Sequence, residues 1–251
     1  MLDYLAEVTM SILQKQKERD PRMGYARDFI GAMESVFPAV AERGVKVIAN
    51  AGGVNPVACA EALLDAASRH GVRGKIRIGV VTGDDILARL DDLMAAGHEL
   101  KNMDTGEPLS AIRDRVMSAN VYIGSDPIVE ALALGANVLV IGRSTDTALT
   151  MAPLRYEFNW AADDWNKMAS GIVAGHILEC GAQSSGGNCM HEWRTIPDMA
   201  NVGYPIAEAS ADGTFVITKH AGTGGRVSVP SVTEQLVYEM GDPHAYITPD
   251  V

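Results

Sequence analysis

The sequence predicts an α/β fold in which a mostly parallel β-sheet is flanked by helices, with a small antiparallel addition in the C-terminal third. Two kinds of pattern lead to this prediction. Short apolar segments rich in β-branched residues recur along the chain, and each is followed by a polar loop and a helical pattern. A hairpin pattern appears near residue 205. Because parallel strands need long crossovers such as helices, the repeated units indicate a parallel sheet.

The first two predicted strands are residues 45–49 and 76–81, which are apolar on both faces. The polar loop after the first strand ends at Asn55, which can cap a helix that has Pro56 at its first position. The loop after the second strand leads into a helical pattern that stops near Gly97. Both units therefore have the order expected of a parallel sheet.

Two further strands are predicted at residues 121–123 and 137–141, with a helix between them that ends at Gly135. After the fourth strand, Pro153 is predicted to end one element and Asn159 to cap the next helix. Apolar residues at helical spacing predict a packing stripe on that helix, formed by Ala161, Trp165, Met168 and Ile172.

The sequence pattern of the C-terminal third differs from that of the preceding residues. Two short strands joined by a glycine-bearing turn are predicted within residues 205–218. A glycine-rich turn at residues 222–225 comes next, and a helical pattern then runs to Gly241. We predict a single domain over residues 1–251, in which residues 200–251 are a candidate subdomain.

Composition excludes several classes of protein. The chain has 251 residues, a net charge of −11 and no basic stripe. This charge repels phosphate backbones, so nucleic acid is not expected as a partner. The N-terminal residues lack the basic start of a signal peptide, and the most apolar stretch is too short to cross a membrane. Three cysteines fit a reducing compartment, and a cytoplasmic location is predicted.

Ligands of open α/β sheets bind at the carboxyl ends of the strands. Applied to this sequence, that rule predicts a small-molecule site at one edge of the sheet. The polar and glycine residues collected there are Asn50, Gly52, Gly53, Asn55, Asp84, Asp85, Ser125, Asp126, Arg143, Ser144 and Asp146. Residues 101–108 are predicted to form a surface loop or a lid.

The loop after the fourth strand carries the most specific chemistry. Arg143 is predicted to hold a carboxylate or phosphate, and Asp146 to act as an acid, a base or a metal ligand. Asp84 and Asp126 follow equivalent strands, so several carboxylates can meet for acid/base work or bind a divalent cation such as Mg²⁺. The alternatives are a structural Arg143–Asp146 pair and simple helix capping by the other two aspartates.

Two glycine-rich loops are candidate binding loops for substrate. Gly222, Thr223, Gly224 and Gly225 can expose backbone N–H groups to an anion, although an ordinary glycine turn is the alternative, as it is for Gly52 and Gly53.

Polar groups also occur in the apolar stretch after residue 170. Glu179 and Gln183 need polar partners if they are buried, which makes them candidates for the site. The residues that suggest zinc match no established zinc module: His176, Cys180, Cys189 and His191. Cys180 is also weighed as a nucleophile, and burial for structural reasons is favoured over both roles.

Short phrases occur in a fixed order along nearly the whole chain. They are NAGG at 50–53 with NP at 55–56, VTGDD at 81–85, NMDTG at 102–106, SAN at 118–120, GR at 142–143 with Asp146, EF at 157–158 with Trp160, DDW at 163–165, AGH at 174–176, ECGAQ at 179–183 and GTGG at 222–225. Together they resemble the acyclic terpene utilisation protein A (AtuA-like) family. Family members usually begin before the equivalent of Leu2 and continue beyond that of Val251, so a core fragment of the family fold is expected.

The resemblance implies a role in bacterial catabolism of acyclic terpenes, such as citronellol and geraniol, and of related branched acids. We expect an enzyme that acts on a carboxylate or a CoA thioester by lyase, hydratase or isomerase-type acid/base chemistry. The alternative is a non-catalytic subunit that binds a metabolite or a partner protein. Homo-oligomers are also compatible with the sequence.

Overall fold

The computed structural model describes residues 1–242 and 244–251. Within these residues the helices are α1 (Glu7–Arg19), α2 (Arg27–Arg43), α3 (Pro56–Arg69), α4 (Leu90–Ala95), α5 (Asp126–Ala133), α6 (Ala148–Phe158), α7 (Trp165–Glu179) and α8 (Val229–Glu239). The strands are β1 (Val47–Ala49), β2 (Ile78–Val81), β3 (Val138–Ile141), β4 (Pro205–Ala209) and β5 (Phe215–Lys219). The predicted α/β class is therefore confirmed.

Strands β1, β3 and β2 form a parallel sheet in that order. Each strand is followed by a loop and a helix, as the sequence patterns predict, and each is shorter than its predicted segment. The N-terminal segment adds one parallel bridge between Leu2 and Ala49 on β1. This bridge places Asp3 beside the carboxyl end of the sheet.

The predicted strand at residues 121–123 is wrong. Ile123 makes a single parallel bridge with Ser144, just beyond the end of β3. Val121 and Tyr122 are half-exposed, and the N–H of Val121 donates to the carbonyl of Asp84. The segment meets the chain only beyond the end of β3 and leads directly into α5. It therefore does not pair along β3.

The core lies on both faces of the sheet. Side chains of β3 alternate between the two layers, with Val138 and Val140 packed in a cluster formed largely by α2 and α3. Leu139 and Ile141 pack in the opposite cluster with residues of α5 and α6. A strand buried on both faces explains why its sequence is continuously apolar.

The region between β3 and α7 corrects two helix predictions. Pro153 lies inside α6 rather than at its end. Asn159 ends α6 in a left-handed conformation with a φ of 52°, and α7 begins six residues later at Trp165. Of the predicted packing stripe, Met168 and Ile172 are buried and Trp165 is exposed. The stripe is therefore confirmed only on α7 beyond its first turn.

The C-terminal part contains the predicted hairpin of β4 and β5, which pair antiparallel. Strand β4 packs against α7, and α8 packs against α7 as well. Helix α8 begins with a capping box in which the side chains of Ser228 and Ser231 bind each other's backbone N–H groups. None of the helices in the described residues combines the length and apolar character needed to cross a membrane.

Candidate functional site

Three carboxyl groups meet where the sheet, α7 and the N-terminal segment come together. One oxygen from each of Asp3, Asp146 and Glu179 lies within 4.8 Å of the others. Asp3 follows the bridge at Leu2, Asp146 belongs to the loop after β3, and Glu179 is the last residue of α7. We call these three residues the acid cluster.

Asn50 holds Asp3 in the acid cluster. Its amide donates to Asp3 Oδ1 at 2.6 Å, and its own oxygen accepts from the backbone N–H of Tyr4 at 2.7 Å. The backbone N–H of Leu5 donates to the same Asp3 oxygen at 3.1 Å. Asn50 is fully buried. The predicted site residue Asn50 therefore lies at the site as a support for Asp3.

Arg143 holds Asp146. Its guanidinium donates to Asp146 Oδ1 at 3.2 Å and to the carbonyl of Leu5 at 2.8 Å. It also lies over the ring of Tyr122, 4.4 Å from the centroid, and 3.5 Å from the carboxylate of Glu7. Because only 6% of the Arg143 side chain is exposed, its contacts with the chain leave little room for a ligand anion.

A hydrogen-bonded chain lies behind Glu179. The Nδ1 atom of His176 is 2.5 Å from a Glu179 oxygen, and the Tyr246 hydroxyl is 2.6 Å from Nε2 of the same ring. The side chains of His176 and Glu179 are 7% and 4% exposed. Gln235, which is fully buried, donates to the carbonyl of His176 and to the Glu239 carboxylate, both at 3.1 Å.

Burial and mutual repulsion raise the pKa of every member of the acid cluster. The pKa of Asp3 is about 6, raised by burial and then by the charge of Asp146. The pKa of Asp146 is about 7 because of burial and then the neighbouring Glu179. The pKa of Glu179 is about 8 because of burial and then Glu239. At neutral pH the cluster therefore holds protons that isolated carboxyl groups would have lost.

Burial also decides the state of the other titratable groups nearby. It lowers the pKa of His176, so the ring is neutral at physiological pH. Burial, followed by the carboxylate of Glu239, raises the pKa of the Cys180 thiol to about 12. A thiol that remains protonated at neutral pH is a weak nucleophile, which disfavours the nucleophilic role weighed for Cys180.

Two clefts open at the acid cluster. The larger, of about 820 Å³, extends from Asp3 and Glu179 past Gln183 to β4. The smaller, of about 540 Å³, is lined by all three acids and by Arg143. Asp3 and Glu179 line both clefts. The acids are therefore accessible from two adjoining spaces.

Asp84 is placed differently from the prediction that it joins Asp146. Its buried carboxylate accepts from the backbone N–H of Arg143 and from the Asn120 amide, both at 2.8 Å. A Cβ on Gly142 would collide with the Asp84 carboxylate. Asp84 thus ties the loop after β2 to the loop after β3, and it lines neither cleft at the acid cluster.

Ser125 and Asp126 belong to a second polar cluster, formed with Arg155 and Asp250. The backbone N–H and hydroxyl of Ser125 donate to Asp250 at 2.8 and 2.6 Å. Arg155 donates to the Ser125 hydroxyl and forms an ion pair with Asp126, whose side chain is 80% exposed. This second cluster secures the C-terminal segment to the start of α5.

The predicted glycine loops use their N–H groups within the chain. Gly224 and Gly225 donate to the carbonyls of Asn201 and Pro197, while Thr223 accepts through its carbonyl from Lys219. Gly222 and Gly225 have φ angles of 79° and 80°. These contacts are those of a structural turn, the alternative that the sequence left open.

The loop after β1 is engaged in a similar way. Gly52 and Gly53 donate to the carbonyls of Ile141 and Asn50. The Asn55 side chain does not cap α3 as predicted, because its amide donates to the carbonyls of Pro21 and Met23 instead. This loop therefore joins the sheet to the turn between α1 and α2.

Donor atoms close enough for a metal ion occur in two groups among the described residues. One is the acid cluster, and the other consists of His176, Glu179 and Glu239. In both groups internal hydrogen bonds already engage these candidate metal-ligand atoms, such as the bonds between Asn50 and Asp3 and between His176 and Glu179. The geometry fits a proton-sharing cluster better than a preformed ion site. The four residues that suggested zinc do not form a donor group together in the described part of the chain.

Sequence patterns did not indicate Asp3, Glu239 or Tyr246. Asp3 follows a one-residue bridge, which leaves no strand pattern in the sequence. Glu239 lies on the last turn of α8, where a charged residue ordinarily faces solvent. The useful signal is Glu179 itself, since a carboxyl group in an apolar stretch requires polar partners from elsewhere.

The whole chain matches the model of a known protein family. The family model for "Acyclic terpene utilisation family protein AtuA" matches residues 1–251. Neither the curated proteins nor the solved structures include a match.

Proposed function

Because the chain belongs to the acyclic terpene utilisation family AtuA, we propose that it is an enzyme of acyclic terpene or branched-chain acid catabolism. We assign it acid/base chemistry of the lyase, hydratase or isomerase type on a carboxylate or a CoA thioester. The family supports the pathway class. The acid cluster is the single observation that supports the type of chemistry.

The acid cluster has the properties of a general acid/base site. Its three carboxyl groups have pKa values of about 6, 7 and 8, so protonated and ionised groups are both present at neutral pH. A carboxyl group with a pKa near the working pH exchanges protons with a substrate most effectively. Groups whose environments separate their pKa values are suited to opposite roles as acid and base.

The order of the pKa values suggests the roles. Asp3, with the lowest value, is the ionised group and would accept a proton. Glu179, with the highest value, would donate one. Asp146 lies between them, and one of its carboxyl oxygens is within 4.8 Å of an oxygen of Glu179, so the pair can share a proton during turnover.

The surrounding residues would act by positioning. Arg143 fixes Asp146 through the contact at 3.2 Å, which replaces the anion-holding role expected from its sequence position. Asn50 fixes Asp3, and His176 fixes Glu179. Because Asp84 and Asp126 are engaged elsewhere, neither is assigned a step in the reaction.

Solvent deuterium exchange tests this proposal even when the reaction product is unidentified. The purified 251-residue chain would be incubated in D₂O with the CoA thioester of a branched ten-carbon acid, and deuterium at the acyl chain would be measured by mass spectrometry. We expect exchange, and a loss of about 10²- to 10⁴-fold in Asp146→Asn. Asp126→Asn is the matched control, since it removes an aspartate charge outside the clefts.

The outcomes separate the candidate functions. Exchange by the isolated chain would argue against the non-catalytic subunit. Equal exchange in Asp146→Asn and in the unaltered protein would refute the assignment of the acid cluster as the proton-transfer site.

A further inference from the structure

We propose that the larger cleft binds the hydrocarbon chain of the substrate, and that an uncharged thioester or ester head lies at the acid cluster. The assignment of the head to this cluster depends on the proposed function. The assignment of the chain to the cleft depends only on the walls of the cleft.

The walls of the larger cleft are mainly apolar. They are built from the N-terminal segment, the end of α7 with the turn after it, and strand β4. The apolar residues that these elements contribute include Leu2, Leu178, Ala182, Pro205, Ile206 and Ala207. The volume of about 820 Å³ lies within the range of roughly 300–1,000 Å³ that small-molecule pockets occupy. Burial of a hydrocarbon chain against such walls favours binding.

The two charged side chains that line the larger cleft, Asp3 and Glu179, belong to the acid cluster. Asp3 and Glu179 line the larger cleft and also the smaller one, which contains Asp146. A ligand lying along the apolar walls would therefore bring its polar end to the three carboxyl groups. The cleft has the polarity of a molecule with one apolar and one polar end.

Charge favours an uncharged head over a free carboxylate. Arg143 is the only cationic side chain that lines either cleft within the described residues, and its contacts with Asp146 and Leu5 already engage it. A substrate carboxylate would add a fourth acidic group to Asp3, Asp146 and Glu179. Like charges at such distances repel each other, whereas the carbonyl of a thioester can accept a proton or a hydrogen bond.

A chain-length series tests the proposal. The probes are N-acetylcysteamine thioesters of straight-chain acids with four to twelve carbons, measured by isothermal titration calorimetry at pH 8. We expect the affinity to rise by up to about fourfold per added methylene until the cleft is filled. Decanoate should bind at least tenfold more weakly than its thioester. N-acetylcysteamine alone is the control for the head.

Substitutions on the β4–β5 hairpin test where the hydrocarbon chain of the ligand binds. Ala207→Trp fills the cleft and should abolish the dependence on chain length. Val216→Trp is the matched control, because Val216 lies on β5, is 63% exposed and does not line the cleft. Ile206→Ala keeps the backbone intact and should weaken the ten-carbon probe more than the four-carbon probe, which covers the case in which the tryptophan variant does not fold.

The two proposals can fail separately. An affinity that does not depend on chain length, or equal binding of decanoate and its thioester, would overturn the present inference. Asp146→Asn should keep the chain-length dependence while it loses solvent exchange. If Asp146→Asn kept both the chain-length dependence and the solvent exchange, the proposed function would be refuted. The assignment of the larger cleft to the hydrocarbon chain would then still hold.

Discussion

The acid cluster and the second polar cluster both include loop residues near the carboxyl end of the parallel sheet, yet their carboxyl groups have different neighbours. In the second cluster, Asp250 accepts from Ser125, and Asp126 faces Arg155. In the acid cluster, Asp146 and Glu179 face each other. Carboxylates whose neighbours are only donors and cations hold the fold together. Carboxyl groups that also lie next to one another have raised pKa values and remain available for proton transfer.

Asp84 belongs with the structural group in this comparison, although its sequence position resembles that of Asp146. Both follow apolar strands and stand in polar loops. Asp84 meets a backbone N–H of the neighbouring loop, whereas Asp146 meets a guanidinium and two further carboxyl groups. The difference arises from the groups that neighbouring elements place next to each aspartate. The sequence of one loop does not specify those neighbours.

The strongest test of the comparison is the dependence of stability on pH. The folded acid cluster holds protons up to a pKa of about 8, whereas unfolded carboxyl groups lose them near pH 4. Unfolding therefore releases protons in this window, and stability falls as pH rises from about 4 to about 8. We expect a fall of more than about 3 kcal/mol in the free energy of unfolding, measured by urea denaturation.

Variants isolate the contribution of the acid cluster. The lowered pKa of His176 acts in the opposite direction below about pH 6.5, so the unaltered protein must be compared with Asp146→Asn and Glu179→Gln. Both variants should flatten the decline, and both should be more stable than the unaltered protein at pH 8. If the free energy of unfolding fell with pH at the same slope in the two variants as in the unaltered protein, the acid cluster would not be the source of the pH dependence.

Asp84→Ala should produce the next largest effect. The substitution leaves the buried N–H of Arg143 and the Asn120 amide without their acceptor. We expect a loss of about 2 kcal/mol in the free energy of unfolding at pH 7, measured by urea denaturation. A stability equal to that of the unaltered protein would show that Asp84 is not a structural tie.

Asp126→Asn should have the smallest effect. Its side chain is 80% exposed and its ion pair with Arg155 lies at the surface. Exposed ion pairs contribute little because water and salt screen them. We expect a change below about 0.5 kcal/mol in the free energy of unfolding, measured in the same urea titrations. A loss above about 1 kcal/mol would place Asp126 among the buried structural contacts.

The sequence predicted the sheet better than the site. The runs that became β1, β2 and β3 are apolar on both faces, and that pattern follows directly from burial between two helical layers. The segment at residues 121–123 has the same pattern but only one bridge. Whether a short apolar run finds a neighbouring strand depends on the geometry of the sheet, which local residues do not determine.

Of the residues predicted for the site, Arg143, Asp146 and Glu179 line the smaller cleft together, Asn50 binds Asp3 and Gln183 lines the larger cleft. Sequence reasoning missed Asp3 and Tyr246, because their positions depend on contacts with Asn50 and His176, which lie 47 and 70 positions away along the chain. The N–H groups of the glycine loops could not be assigned to carbonyl partners from the sequence. Long-range pairing determined which predicted residues meet.

Strand β3 has a consequence for the residues that follow it. Its four side chains are fully buried and alternate between the two apolar clusters, so neither helical layer can separate from the sheet without disturbing the other. Local unfolding of one layer alone is therefore costly, and β3 opens only when the whole sheet does. Arg143 and Asp146 lie two and five residues beyond Ile141, the last residue of β3. Their loop starts from a fully buried strand, so little further conformational entropy is lost in keeping the carboxyl group of Asp146 in place.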